Sequence, residues 1–403
     1  MNATECPSLP ASAQVVVVGA GPVGLTTAIA LASHGVDVVV LDRQAEAANT
    51  SRAAVVHART LEVLEELEVT DRLRRLGLEM TTFAMRDGGR TLIRVSFDAL
   101  PTRHPYTLMI PQDVTEAVLL DRLLELGGAV HRPYELVRAV DDGVAVEVTA
   151  KSGTGEEYVV RASYVVGADG MNSTVRDLVG IEFEGGTYAE SFVLADVRLE
   201  PQPAREDGVV LSFRPSGTTV IAPLPGERHR VIAGVDEAPS APDLATVQAL
   251  VDRWAGESRR RAAPQVTELI WSSRFRVHHR VAERYRAGRV LLAGDAAHVH
   301  SPAGGQGMNI GMQDGVALAA ALAAALDAER RGDTAAASAA LDGYEAARRP
   351  AALRVVSLTD RMTRMAMLRG PVPRAARNTL LKIVDCIPPI RNKVAAQIAG
   401  LAD

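Results

Sequence analysis

The chain has 403 residues, with 44 Lys and Arg against 49 Asp and Glu, and therefore a net charge of −5. This mildly acidic balance offers no basic surface for nucleic acid or an anionic membrane, while 47% hydrophobic residues suffice for more than one domain. Its two cysteines, Cys6 and Cys386, stand at opposite ends of the chain. We therefore expect no disulfide framework and no cysteine metal site, and we predict a cytoplasmic protein.

Neither of the two apolar segments is predicted to span a membrane. The first, 15–41, is interrupted by glycines and by His34 and Asp37, and the second, 316–326, is shorter than the roughly 20 residues that a span needs. The second segment instead suits a buried helix packed through alanines. The first 14 residues lack the basic and apolar regions of a signal peptide.

The N-terminal region reads as a strand, a glycine turn, a helix and a second strand. Val15–Val18 is a β-branched run typical of a buried parallel strand. After the turn, we predict a helix over Leu25–His34 and a strand over Val36–Leu41.

Further along, the predicted elements alternate between strands and helices. A hairpin (Thr82–Arg86 and Thr91–Phe97) precedes a helix (Val114–Leu126), a three-stranded meander (Tyr134–Val140, Val144–Ala150, Glu157–Arg161) and a separate buried strand (Tyr164–Gly167).

From about residue 181 to 278 short alternating stretches predict a mostly antiparallel sheet. Strand, glycine loop and long helix then return, and the C-terminal region reads as helical. These changes predict an α/β chain with two domains. Residues 1–81, 105–180 and 280–403 would form a discontinuous nucleotide-binding domain with C-terminal helices, and residues 82–104 and 181–279 an inserted β-sheet domain for the substrate.

The glycine turn fits the pattern G-x-G-x-x-G between a strand and a helix. Gly19 permits the tight turn, Gly21 lets a pyrophosphate approach the backbone, and Gly24 allows close packing of helix and strand. Asp42, at the end of the second strand, is placed to bind an adenosine ribose. The motif alone does not distinguish NAD from FAD.

Two later motifs favour FAD. Residues 165–180, "VVGADGMNSTVRDLVG", contain Asp169 after a buried strand, a feature that a simple dehydrogenase does not need. Residues 288–318 contain Asp295, which can hold ribityl hydroxyls, and a glycine-rich loop, Gly304–Gly311, that opens a long helix. The N-terminus of that helix can stabilise negative charge on reduced flavin.

In these motifs and their order the chain resembles the FAD-dependent aromatic hydroxylases of the para-hydroxybenzoate hydroxylase fold, and most of all the branch that acts on phenols and aromatic polyketides. The resemblance covers most of residues 14–325 and implies a Rossmann-like FAD-binding domain of the GR2 type. Many relatives continue into a thioredoxin-like C-terminal domain, whereas this chain stops at Asp403.

The resemblance also implies which residues bind FAD. The ADP part would be bound by Gly19, Gly21, Gly24, Asp42 and Arg43, with Arg52 near the pyrophosphate, Gln112 before a helix and Val137 at the adenine. Asp169 belongs to a motif linked to FAD and NAD(P)H. Asp295 would bind the ribityl chain, Gly305, Gly307, Met308 and Asn309 the flavin ring, and Pro302 would line the substrate side.

The implied activity is hydroxylation of an aromatic, phenolic or polyketide-like compound with NAD(P)H and O2 through a flavin C4a-hydroperoxide. No residue is identified as the base. Epoxidation, Baeyer–Villiger insertion or halogenation on the same fold, and a non-catalytic protein that binds FAD and an aromatic ligand, remain alternatives. The halogenase signature W-x-W-x-I-P is absent, and the histidine pairs lack a third ligand at metal-binding spacing.

Overall fold

Two eight-stranded sheets and one three-stranded sheet organise the part of the chain that the structure describes. The computed structural model describes residues 9–46, 53–87, 89–203, 208–214, 217–255, 263–368 and 370–401, with the backbone alone at 189–190. Cys6 and Arg52 therefore lie outside the described residues.

The strands are β1 (Ser12–Val18), β2 (Val38–Leu41), β3 (Val55–Val56), β4 (Leu78–Met80), β5 (Thr82–Asp87), β6 (Arg90–Ser96), β7 (Thr107–Met109), β8 (Val130–His131), β9 (Tyr134–Asp141), β10 (Val146–Ser152), β11 (Glu157–Gly167), β12 (Phe183–Glu200), β13 (Val209–Arg214), β14 (Gly217–Leu224), β15 (Arg228–Val235), β16 (Gln265–Ala282), β17 (Arg286–Ala287), β18 (Val290–Leu292) and β19 (His298–Val299). The helices are α1 (Pro22–Ser33), α2 (Ala58–Glu65), α3 (Thr70–Leu76), α4 (Gln112–Glu125), α5 (Thr174–Leu178), α6 (Leu244–Ala255), α7 (Gly307–Arg330), α8 (Thr334–Ala366), α9 (Pro371–Cys386) and α10 (Pro388–Ile398).

The first sheet has the order β17-β18-β11-β1-β2-β8, with the β9–β10 hairpin attached to β11. β1 pairs in parallel with both β2 and β11, and β18 pairs in parallel with β11. Val15, Val16 and Val17 are fully buried because helices cover this sheet. The Rossmann-like α/β architecture expected from the motifs is confirmed.

Two predicted boundaries are wrong in an informative way. The meander's third strand and the buried strand after it are one strand, β11, because residues 162–163 carry no turn signal and continue the extended backbone. β11 pairs antiparallel with β10 in its first half and parallel with β1 through its second.

The predicted loop Gly304–Gly311 is also too long, since α7 already begins at Gly307. A Cβ at Gly311 would lie 2.6 Å from Val23 Cγ2, so this glycine serves the contact between α7 and α1.

The second sheet has the order β19-β16-β12-β15-β14-β13-β5-β6. Its strands pair antiparallel except for β13 and β5, which run parallel, and the predicted hairpin is β5–β6. Besides these strands, residues 181–279 contain α6, which buries Val247, Leu250 and Val251 against the sheet.

The C-terminal helices join the two sheets. α7 packs against α1 and α8; by length and composition it could cross a membrane, yet 61% of its apolar window is buried within the fold, as in a core helix. α9 and α10 instead pack on β6, although the predicted domain division groups them with the first sheet. Asp87 of β5 anchors α9 by accepting hydrogen bonds from Arg374, Arg377 and Asn378.

Candidate active site

A cavity of about 670 Å³ lies between the two sheets, within the range of small-molecule sites. Eleven of the fifteen residues predicted to bind the cofactor line it: Gly19, Gly21, Asp42, Arg43, Gln112, Asp169, Asp295, Pro302, Gly305, Gly307 and Met308. Strands and helices far apart in sequence thus converge on one space.

Three predicted residues do not line this cavity. Gly24 lies behind the turn, where a Cβ would approach Gly19 O to 1.8 Å, so its role is the predicted close packing. Val137 faces away from the cavity, which its neighbour Leu136 lines. Asn309 is buried behind the loop and acts through other residues.

The turn between β1 and α1 forms one end of the cavity. A Cβ at Gly21 would meet nothing within 4 Å, so open space adjoins the backbone there. The first turn of α1 has no side-chain cap, and its N–H groups and positive dipole end are suited to a phosphate. Asp42, at the end of β2, accepts hydrogen bonds from Ala20 N and Gln44 N at 2.8 Å and lines the same end.

Asp169 has a structural role besides its place in the cavity wall. Its carboxylate accepts hydrogen bonds from Ser173 Oγ at 2.5 Å and from Val175 N at 3.1 Å, which fixes the start of α5. Burial raises the pKa of Asp169. The orientation of this side chain is therefore set by α5 before any ligand binds.

The start of α7 forms a second polar wall. The N-cap residue Gln306 makes no capping hydrogen bond with its side chain, which donates instead to Ile398 O at 3.0 Å. Because Gly307 and Met308 line the cavity, the first turn of α7 offers backbone N–H groups to a ligand carbonyl or anion.

Asn309 and His57 hold this wall in place. Asn309 Oδ1 accepts from His57 N at 2.8 Å, and its Nδ2 donates to Val55 O and Gly305 O. His57 Nε2 lies 2.7 Å from Gly304 O and must donate to it, because a carbonyl only accepts. Burial lowers the pKa of His57 to about 4.

His300 lines the cavity and keeps a hydrogen-bond acceptor buried within the wall. Its Nδ1 lies 2.9 Å from Ser301 O, so the proton is on Nδ1 and the lone pair on Nε2. Within the described part of the chain this Nε2 has no partner, and burial lowers the pKa of His300 to about 4, which keeps the ring neutral.

The opposite part of the cavity is apolar. Its lining residues from β5, β13, β14, β16 and the C-terminal helices include Phe83, Met85, Leu211, Phe213, Val220, Phe275, Met362, Met365 and Ile398. Phe275 stacks on Phe192, with ring centroids 5.5 Å apart. Apolar and aromatic side chains of this kind suit an aromatic ligand. Sequence analysis identified none of these residues, since they share no motif.

The groups that line the cavity fit FAD in their order along it. Open space at Gly21, an uncapped α1, the Asp42 carboxylate and the uncapped α7 lie along one continuous cavity. These groups match, in order, a pyrophosphate, a ribose and the carbonyl edge of a flavin ring. The remaining apolar chamber leaves space for a second ligand beside that ring.

Comparison with known proteins agrees with this geometry. A family model described as "FAD binding domain" matches residues 12–359. The 6-methylpretetramide 4-monooxygenase of Streptomyces rimosus is 36% identical, over 96% of this chain and 69% of that protein. The solved p-nitrophenol 4-monooxygenase from Pseudomonas putida has a TM-score of 0.88 at 27% identity, over 98% of this chain and 99% of its own.

A third relative was solved with both ligands bound. Aklavinone-11 hydroxylase, in a ternary complex with FAD and aklavinone, has a TM-score of 0.73 at 30% identity, over 89% of this chain and 68% of its own. The chain therefore belongs to the FAD binding domain family, and it is an FAD-dependent aromatic monooxygenase of the para-hydroxybenzoate hydroxylase fold with NAD(P)H as co-substrate.

Proposed function

We propose that this monooxygenase hydroxylates a polycyclic phenolic compound of the polyketide type. The observation that carries the proposal is the apolar chamber. Its described lining residues from β5, β13, β14, β16 and the C-terminal helices are mostly apolar, and the polar ones are Thr218, Arg276, His278 and Thr363. Two of the relatives above take their names from 6-methylpretetramide and aklavinone, which agrees with a large aromatic substrate.

We further propose that FAD lies along the polar walls. Gly19, Gly21, Asp42 and Arg43 bind its ADP part, with Gln112 and Asp169 beside them. Asp295 binds the ribityl chain, Gly305, Gly307 and Met308 the ring, and Pro302 lines the substrate-facing side. The lining of the cavity supports these assignments. Arg52 keeps its proposed place near the pyrophosphate, and Gly24 and Asn309 act by shaping the two turns.

Bound FAD, once reduced by NAD(P)H, supplies the activated oxygen. The chain's own residues position the reactants and keep water out of the chamber. His300 Nε2 is a neutral acceptor buried in the cavity wall. Ring hydroxylation is the proposed outcome, and epoxidation or Baeyer–Villiger insertion would appear as different products of the same oxygen transfer.

We propose the domain division given above, with residues 82–104 and 181–279 as the substrate domain. Dependence on NAD(P)H and the exposed thiol of Cys386 support a cytoplasmic location.

The test is turnover of purified protein loaded with FAD. NAD(P)H oxidation and product would be followed with a polycyclic phenol, 4-nitrophenol and 4-hydroxybenzoate, each with NADH and with NADPH. We expect the highest kcat/KM with the polycyclic phenol, because only that substrate fills the apolar chamber, and the lowest with 4-hydroxybenzoate, whose carboxylate would lose its hydration there.

Nuclear magnetic resonance of the product separates a ring hydroxyl from an epoxide or a lactone. Higher kcat/KM for 4-nitrophenol than for every polycyclic phenol would contradict the proposed substrate class. Binding of FAD and a polycyclic phenol without any product would contradict hydroxylation itself.

A further inference from the structure

Arg230 of β15 is fully buried in the wall of the cavity. It faces Asp196, its direct neighbour on β12, and donates from Nε to Oδ1 at 2.7 Å and from Nη2 to Oδ2 at 2.8 Å. Trp271 Nε1 donates to the same Oδ2 at 3.0 Å, and the guanidinium lies over the Trp271 ring. The ion pair is thus bidentate, and Trp271 additionally holds the Asp196 carboxylate.

The remaining nitrogen of Arg230 reaches out of the second sheet. Its Nη1 donates to Ala53 O at 2.8 Å. Gln112 of α4 holds the same residue from the other side, since Gln112 N donates to Ala53 O and Ala53 N donates to Gln112 Oε1, both at 3.1 Å. Ala53 therefore joins the sheet that bears the apolar chamber to the helix that bears a proposed FAD contact.

Ala53 also lies close in sequence to a residue that contacts the flavin wall, the name used here for the loop before α7 and its first residues, 304–308. Two residues later, Val55 lies against the loop before α7, where a Cβ on Gly305 would approach Val55 Cγ1 to 2.3 Å. On the other side, Ile232 follows Arg230 on the same face of β15 and lines the chamber. One guanidinium thus connects the two surfaces that must face each other during oxygen transfer.

Stability alone does not account for a pair buried so completely. Burying two charges removes their hydration, and apolar replacements of similar volume are often as stable. What the guanidinium provides is a rigid planar fork that fixes a carboxylate and a carbonyl at once, which the single ammonium of lysine does not provide.

We propose that Arg230 is a positioning residue of the monooxygenase reaction, which sets the distance between the substrate chamber and the flavin wall through Ala53 O. In the coupled reaction, NAD(P)H, H⁺, O2 and the aromatic substrate give NAD(P)⁺, water and the hydroxylated product. When the two surfaces are misplaced, NAD(P)H, H⁺ and O2 give NAD(P)⁺ and H2O2, and the substrate leaves unchanged. The inference rests on the family's activity and not on the substrate class proposed above.

The test compares Arg230→Lys with wild type, using whichever aromatic compound the wild type hydroxylates. We expect the product formed per NAD(P)H oxidised to fall about five-fold, with a matching rise in H2O2, because small displacements strongly reduce transfer between positioned groups. The affinity of the apoprotein for FAD, measured by quenching of flavin fluorescence, should stay within about two-fold, since no proposed FAD contact is substituted and Gln112 keeps both of its hydrogen bonds to Ala53. Trp271→Phe is the control: it removes a contact to Asp196 but leaves the Ala53 bond, and its coupling should match wild type.

Should Arg230→Lys not fold, the double variant Arg230→Gln with Asp196→Asn removes both buried charges and should show the same loss of coupling. Wild-type coupling in the folded variant would overturn the proposal. So would a loss of FAD affinity as large as the loss of coupling, because Arg230 would then act on cofactor retention.

Discussion

The two ends of the cavity are built in different ways. The end that we propose for FAD is formed largely by backbone: the turn after β1, the uncapped starts of α1 and α7, and glycines that leave space or permit contact, with carboxylates such as that of Asp42 beside them. The substrate-facing end is formed by side chains from strands and helices that are distant in sequence. A site made by the backbone depends on glycines at fixed positions, so it can be recognised as a motif in the sequence. A site made by side chains can change one residue at a time without such a pattern.

The largest effect should come from breaking the backbone-built end with Gly24→Ala. The new Cβ would lie 1.8 Å from Gly19 O, which is a backbone atom, so the turn itself would have to shift. We expect the free energy of unfolding to fall by at least about 3 kcal/mol and FAD binding to be lost, as measured by urea unfolding and fluorescence titration.

Gly21→Ala is the matched control, because its Cβ would meet nothing within 4 Å. It should keep the stability of wild type but bind FAD about ten-fold more weakly, since the methyl group enters the proposed pyrophosphate space. Wild-type FAD affinity in Gly24→Ala would show that the turn is not the binding cradle.

A smaller effect should appear in the free energy of unfolding at acid pH, through His57, which holds the flavin wall in place. Burial lowers the pKa of His57 from 6.5 to about 4, so the unfolded chain takes up the proton first as the pH falls. The contribution of His57 to stability should therefore be complete above about pH 7 and be lost progressively between about pH 6.5 and pH 4. From pH 7 to pH 5 this group accounts for a loss of about 2 kcal/mol.

His57→Gln should remove that share of the loss, measured by urea unfolding at pH 7 and pH 5. The same substitution at His34, which is exposed, should leave the pH dependence of wild type. Equal acid sensitivity in His57→Gln and wild type would mean that His57 does not resist protonation in the fold.

The smallest effect should come from the side-chain-built end. Phe275→Ala removes the ring that stacks on Phe192, and we expect KM for a polycyclic phenol to rise about ten-fold, or about 1.4 kcal/mol. FAD affinity should not change. Phe183→Ala, an aromatic deletion outside the cavity lining, is the control; an equal rise in KM there would assign the effect to general destabilisation.

The same contrast explains how far the sequence could be interpreted. The Rossmann-like sheet and the FAD motifs were predicted because glycines at fixed spacing have a mechanical reason to stand where they do. Val137 shows the limit: the resemblance implies that its backbone lies at the adenine, and the period of the strand adds only that Val137 and Leu136, which lines the cavity, point to opposite faces.

The substrate chamber could not be predicted at all. Phe83, Phe213 and Met365 meet only because β5, β13 and α8 are brought together by the fold. Arg230 likewise depends on Asp196 and Ala53, 34 and 177 positions away. An arginine in an alternating strand gives no sign that it is buried, because the same alternation also fits a solvent-facing position.

The docking of the C-terminal helices has a consequence for how this fold diversifies. Arg374 and Arg377 fix α9 to Asp87, so the tail of the chain packs on the second sheet, while Met362 and Ile398 line the chamber. Recombination or random mutagenesis confined to residues 362–398 can therefore reshape the substrate wall while every nucleotide motif is inherited intact. Changes in these helices can therefore alter substrate preference while the glycine turn and the acidic residues of the nucleotide motifs stay as they are.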